Sequence, residues 1–268
     1  MQVIPYNIID PIGNKVPMLV SSPHSGTLFP DELKENYNQE LISSPDDTDW
    51  FIHQLYDFAP EMGITMITAK YSRWVIDLNR NPDSQPLYND GRIITELCPT
   101  KSFAGEELYE EGKQPDTEEV KRRLDVYYWP YYQKIQSILD GIIEEFGYAL
   151  FWDAHSIRKY VPLIRKDDFP ELILGDNDGK TADQQLVDST LGILNQRGHQ
   201  INYNDPFKGG HLTRYFGKPE KNQHALQLEM TKVNYMNDEE KEYHPQRAGR
   251  MRESLHMVFK GLLEAKLS

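Results

Sequence analysis

"YALFWDAHS", residues 148–156, is the stretch whose reading decides the fold. It follows a long helical pattern, Thr117–Phe146, closed by Gly147, and it is apolar through Trp152 apart from its opening tyrosine. A short run that is hydrophobic on both faces reads as a strand buried between two layers. Its last residues, Asp153 and His155, are polar and point to the same side of an extended chain. Similar strand-like segments stand at Val16–Ser21, Gly63–Ala69, Trp74–Leu78, His199–Tyr203 and Ala225–Met230. Helical patterns occupy gaps between them. Thr48–Phe58 follows a Ser/Pro/Asp cluster, Thr181–Arg197 ends at Gly198, and Asp238–Ala265 follows Asn237. Within Thr117–Phe146, Pro130 is expected to kink or divide the helix. Strands alternating with helices predict a three-layer α/β/α sandwich around a mixed, largely parallel sheet. No repeat or linker divides the chain, so one domain is expected over residues 1–268. Two loop-rich insertions, Asn81–Gln114 and Arg158–Lys180, are expected to wall the site.

Composition narrows the function classes. The balance of 29 Lys+Arg against 42 Asp+Glu, net −13, disfavours nucleic acid and anionic membranes, which need a cationic face. Arginines gathered in a pocket can still hold a small anion. One cysteine, Cys98, excludes an intrachain disulfide and a cysteine-based zinc knuckle, and it suits a reducing compartment. The first residues lack the basic and apolar regions of a signal peptide, and no apolar run is long enough to span a bilayer. A cytoplasmic protein is expected, and a homo-oligomer is compatible with the sequence.

In open α/β sheets ligands sit beyond the carboxyl ends of strands, so chemistry is sought there. "SSPHSG", residues 21–26, carries His24 at the exit of the first buried strand, and residues 151–156 carry His155 at the exit of another. A lone loop histidine is usually a structural hydrogen-bonder, but two at strand ends make a better case for a metal site, and a catalytic zinc site takes three N/O ligands with a position open for water. "SSPDDTDWF", residues 43–51, offers Asp46, Asp47 and Asp49, of which at least one serves as a plain helix cap. Asp153 either orients His155 from behind or is a sheet-end acid. "SRWVIDLNR", residues 72–80, sets Asp77 in an apolar run, where it needs a cation such as Arg73 or Arg80. Arg80 either forms that ion pair or offers its guanidinium to a substrate carboxylate or an oxyanion, with Asn79 as a neutral donor. "NDPFKGGHLTRYFG", residues 204–217, matches no phosphate-binding loop, yet its glycines with Thr213 and Arg214 suit a clamp on a small anion. "HALQLEMTK", residues 224–232, places Glu229 on the same strand face as Ala225 and Gln227, where a general base could stand. Ser25 lacks the G-x-S-x-G turn of a nucleophilic serine.

Six of these segments in order, "SPHSG", "DDTDW", "YSRWVIDLNRNP", "FWDAHS", "NDPFKGGHLTR" and "ALQLEMTK", resemble the N-formylglutamate amidohydrolase family over about residues 16 to 235. That family is similar, at a distance, to zinc carboxypeptidases and aspartoacylase, with a phosphorylase/hydrolase-like sandwich. The resemblance implies hydrolysis of N-formyl-L-glutamate to formate and L-glutamate, in histidine degradation, by a water activated on one Zn2+. It implies His24, Asp49 (or Asp47) and His155 as metal ligands, Glu229 as base and Arg80 as oxyanion stabiliser. Arg73, Asn79, Arg158, Gly210, Thr213 and Arg214 become candidates for holding a dicarboxylate. The carboxypeptidase pattern has its acidic ligand three residues after the first histidine. Thr27 stands there in this chain, so the acid comes from elsewhere. The competing readings are a zinc hydrolase of another N-acyl amino acid and a non-catalytic small-anion binder.

Overall fold

The computed structural model describes residues 3–83 and 96–265, so residues 84–95 of the first insertion lie outside the described residues. Its strands are β1 (Tyr6–Ile9), β2 (Met18–Ser22), β3 (Thr65–Ala69), β4 (Ala149–Ile157), β5 (Leu172–Gly175), β6 (Ile201–Tyr203) and β7 (Gln223–Thr231). They form one sheet in the order β1-β3-β2-β4-β7-β5-β6. The central pairs β3/β2, β2/β4 and β4/β7 are parallel, as is β5/β6, while β1 on β3 and β5 on β7 are antiparallel.

Helical segments are α1 (Asp31–Lys34), α2 (Gln39–Ile42), α3 (Ile52–Leu55), α4 (Thr117–Arg123), α5 (Trp129–Phe146), α6 (Gln184–Gln196), α7 (His211–Phe216) and α8 (Pro245–Glu264). One sheet face (Val20, Trp152, Leu226, Leu228) is covered by α3, α6 and α8, through residues such as Ile52, Leu186 and Phe259. The other face (Leu19, Ile67, Phe151, Ala225) is covered by α5 and α7, through Tyr131, Ile135, Leu139 and Phe216. The α5 residues recur at three- and four-residue spacing and make one apolar stripe. The expected mixed α/β/α sandwich is therefore the observed architecture. Among the described residues no helix is long and apolar enough to cross a membrane.

Four expectations need correction. Trp74–Leu78 is not a strand but a chain of turns, with Val75 N–H donating to Ser72 O and Arg80 N–H to Asp77 O. Its alternating residues are buried by packing in the α5-side core rather than by a ladder. Thr48–Phe58 shrinks to one helical turn, because Phe51 takes a left-handed φ of 62° and breaks the run. The insertion Arg158–Lys180 contains β5, an apolar Leu-Ile-Leu-Gly that pairs antiparallel to β7. The helix expected over Asp238–Ala265 starts only at Pro245, capped by His244, whereas the expected division of Thr117–Phe146 is found at a π-helical turn, Leu124–Tyr128, directly before Pro130.

Candidate metal centre

The parallel strands β2, β4 and β7 end at one edge of the sheet, and their exits converge. His24 follows β2 by two residues. Asp153 and His155 share the α5-side face of β4, and His155 pairs with Glu229 across the β4/β7 ladder. The turn carrying Asp49 is tied to the β2 exit by Asp49 N–H donating to His24 O at 2.9 Å. The β2 exit in turn lies close under the 70–71 backbone. A Cβ on Gly26 would stand 2.2 Å from Tyr71 O, so only glycine admits that approach.

His24, Asp49 and His155 each bring a donor atom within 4.8 Å of the others, and all three are buried. The two Nδ1 atoms face Asp49 Oδ2, at 3.8 Å from His24 and 3.3 Å from His155. The Nε2 atoms point the other way, each to a buried carboxylate. His24 Nε2 lies 2.8 Å from Asp77 Oδ1, and His155 Nε2 lies 3.1 Å from Asp153 Oδ1. An ionised Asp77 only accepts, so it fixes the His24 proton on Nε2 and leaves the Nδ1 lone pair toward Asp49.

This donor set fits a divalent cation on three observations. Among the described residues, both buried carboxylate oxygens of Asp49 accept no hydrogen bond, a costly arrangement unless a cation meets them. Two imidazole nitrogens and one carboxylate are the donors that suit zinc. Each imidazole is backed by a carboxylate, as metal-bound histidines generally are.

Electrostatics set the two imidazoles apart. Burial, then Arg73, pushes His24 down to about 4, so its imidazole is neutral and able to ligate. Burial opposes charge on His155, but Asp153 and Asp49 outweigh it and hold its pKa well above the usual value. Burial would raise Asp49, yet His155 and His24 keep it below the ordinary carboxylate range. Glu229 is pushed up to about 8, first by burial, with Asp49 and Asp153 adding and His155 and Arg73 opposing.

The remaining expected residues are placed as follows. Asp47 does not join the histidines. It accepts from the Trp74 indole N–H at 2.7 Å and from Phe103 N–H. Arg73 is buried and donates to Asp77 Oδ2 at 2.6 Å, with Arg80 Nε 3.8 Å from the same oxygen. Asn79 Nδ2 lies 3.1 Å from His155 Nε2, and its Oδ1 accepts from Leu212 N–H. Gly210 touches that amide so closely that a Cβ would stand 2.2 Å from Asn79 Nδ2. Thr213 is buried and donates to Asp153 Oδ2 at 3.1 Å, and Arg214 Nε donates to Gly209 O at 3.0 Å. Arg158 is held by Asp46 through both Nε and Nη2, with Glu240 3.4 Å from Nη1. Asn79 and Thr213 thus make hydrogen bonds inward, toward His155 and Asp153.

The sequence reading missed the His24–Asp77 contact and Gln227, whose Oε1 accepts from Gly210 N–H at 2.7 Å. It also missed Lys232, buried beside the site. The only signal for Lys232 was a lysine closing "LEMTK", directly after an otherwise buried strand.

A family model described as N-formylglutamate amidohydrolase matches residues 16–236. The chain is 42% identical over 227 residues to an N-formylglutamate deformylase of Pseudomonas putida, covering 84% of each protein. It is 41% identical over 226 residues to one of Pseudomonas aeruginosa, again covering 84% of each. Among solved structures, an N-formylglutamate amidohydrolase from Ralstonia eutropha JMP134 superposes with TM-score 0.79 at 24% identity, covering 97% of this chain and 98% of that one. A gene product of Agrobacterium tumefaciens gives 0.72 at 18%, covering 97% and 96%. At these identities the two structures speak for the fold alone.

Proposed function

The chain belongs to the N-formylglutamate amidohydrolase family, and on that premise we propose that it hydrolyses the formyl amide of N-formyl-L-glutamate to formate and L-glutamate with a zinc ion. The observation that carries the proposal is the Asp49 carboxylate, buried without a hydrogen-bond donor between two histidine Nδ1 atoms and near Glu229. His24, Asp49 and His155 hold the metal, which when bound supplies Lewis acidity toward water and the amide carbonyl.

The protein's own groups do the rest. Asp77 and Asp153 keep the two imidazoles oriented with Nδ1 inward. Glu229 takes a proton from the attacking water and returns it to the leaving glutamate nitrogen. Its pKa, raised by burial, favours the return step, and a cation at the triad lowers it for the first. Arg80 donates to the oxyanion that forms on the formyl oxygen. Arg214 and the Gly209–Gly210 backbone border the substrate and exclude water from the amide.

The test is a metal assay with formate release from N-formyl-L-glutamate. His24→Ala loses bound metal and turnover together, and full metal content in that variant overturns the centre. Glu229→Gln keeps metal and loses most of kcat, and an unchanged kcat removes it as the base.

A further inference from the structure

Beside the centre lies a cavity of about 170 Å³ whose walls include Asp46, Asp47, Phe103, Ser156, Arg158 and Lys232. None of the three candidate ligands lines it, yet Asp47 stands two residues before Asp49 and Ser156 follows His155. The Phe103 ring lies over the Arg73 guanidinium, 4.7 Å from its centroid. Through Phe103, Arg73 and Asp77 the cavity wall is thus linked to His24 of the centre.

Its charges are unequally satisfied. Asp46 is held by Arg158, and Asp47 by the Trp74 indole and the Phe103 N–H. Of the two cations in the wall, Arg158 is occupied by Asp46 and Glu240. Lys232 is 2% exposed, and its Nζ donates to one acceptor, Asp46 O at 3.1 Å. Among the described residues no carboxylate pairs with it. An ammonium has three N–H groups, and a buried one held by a single carbonyl is incompletely compensated. Burial accordingly lowers its pKa, against the pull of Asp49 and Asp46.

The substrate proposed above has two carboxylates. Its α-carboxylate is two bonds from the reacting nitrogen and stays at the centre, whereas the side-chain carboxylate reaches away from it. A cavity of ~150 Å³ holds a benzene ring, so 170 Å³ admits a two-carbon carboxylate arm. We propose that this chamber is the subsite for the substrate's side-chain carboxylate and that Lys232 Nζ anchors it. The assignment rests on the amidohydrolase reading. It gives specificity to a residue outside the arginine set, two of whose members, Arg73 and Arg158, are already held by carboxylates.

The experiment compares wild type, Lys232→Met and Lys232→Arg on N-formyl-L-glutamate and N-formyl-L-glutamine, which lacks the distal charge. Lys232→Met should lose about a hundredfold in kcat/KM on the first, mainly through KM, and about twofold or less on the second. Lys232→Arg should recover part of the loss. Equal losses on both substrates would mean a structural role and overturn the assignment. If Lys232→Met does not fold, a crystal structure of the wild-type protein with glutarate decides. A carboxylate within hydrogen-bond distance of Nζ supports the subsite, and glutarate bound elsewhere refutes it. A wild type without activity on N-formyl-L-glutamate defeats the substrate reading, while the glutarate structure still judges Lys232.

Discussion

Replacing Asp77 by asparagine tests the reasoning where the charges are densest. The carboxylate is fully buried and has four neighbours: His24 Nε2 at 2.8 Å, Arg73 Nη2 at 2.6 Å, Asn79 N–H at 2.9 Å and Arg80 Nε at 3.8 Å. Burial alone would raise its pKa, but Arg73, then Arg80 and His24, hold it well below the usual carboxylate range. Asparagine keeps the shape and one acceptor. Its amide N–H2 then meets either the Arg73 guanidinium or the His24 N–H, donor against donor. Removing one partner of a buried ion pair costs about 3–5 kcal/mol. Asp47 and Asp49 also attract Arg73, so the low end of that range is expected here. Metal affinity should fall as well, because His24 loses its orienting acceptor and Arg73 is left as an uncompensated charge near the cation. Losing a carboxylate behind a ligand histidine costs about 10–100-fold in affinity, or roughly 1.4–2.7 kcal/mol. Urea denaturation and competition with a calibrated chelator measure the two quantities on one sample. A folded Asp77→Asn protein with wild-type metal affinity would refute the orienting role, whatever its stability.

Two further outcomes follow from contacts away from the ligands. Gly210→Ala forces a methyl to 2.2 Å from the Asn79 amide, which Leu212 N–H and Gln227 hold in place, so stability should drop by about 1–3 kcal/mol and kcat should fall. Wild-type values of both would show that the 209–212 loop yields freely. Glu119 gives a pH signature. Burial raises its pKa, but hydrogen bonds from Arg122 and Arg123 win and hold it below 4.5. A depressed carboxylate stabilises above its unfolded pKa, and that contribution is lost as pH falls through the folded value. Glu119→Gln should therefore be less stable than wild type at neutral pH, with the gap closing below about pH 4. A gap independent of pH would exclude the charge as its cause.

The strands that build the site were legible because burial wrote them plainly. Residues 149–152 are apolar on both faces and residues 226, 228 and 230 on one, and the polar side chains gather toward the exits. The alternation that put Gln227 and Glu229 on one side is the face division found between the two cores. Residues 74–78 have the same alternation and no ladder, since an apolar residue buried by a turn leaves the same mark as one buried by a strand. β5 was hidden for the opposite reason. Its four residues sit among polar ones, and pairing with β7 on one side and β6 on the other makes a strand of them. Ion pairing was the least legible feature. Arg158 looked available as a clamp until Asp46, 112 positions away, came beside it.

The two candidate ligand histidines differ in what it takes to support them, and the difference explains where the protein buries charge. His155 lies within β4, where residues two apart share a face, so Asp153 stands near its ring by strand geometry alone. His24 lies beyond the end of β2, where no strand neighbour can serve. Its acceptor has to come from the turns at 72–80, an element without ladder hydrogen bonds. That carboxylate needs Arg73 as its counterion. The turns in turn are tied to the rest of the fold by Arg123, buried and donating to Val75 O and to the Tyr37 hydroxyl, which donates to Trp74 O. The loop-borne histidine is thus accompanied by buried Asp77, Arg73 and Arg123, whereas the strand-borne one has Asp153 beside it on its own strand. Damage to the Arg123 network should therefore loosen His24 first and leave the His155 side of the centre in place.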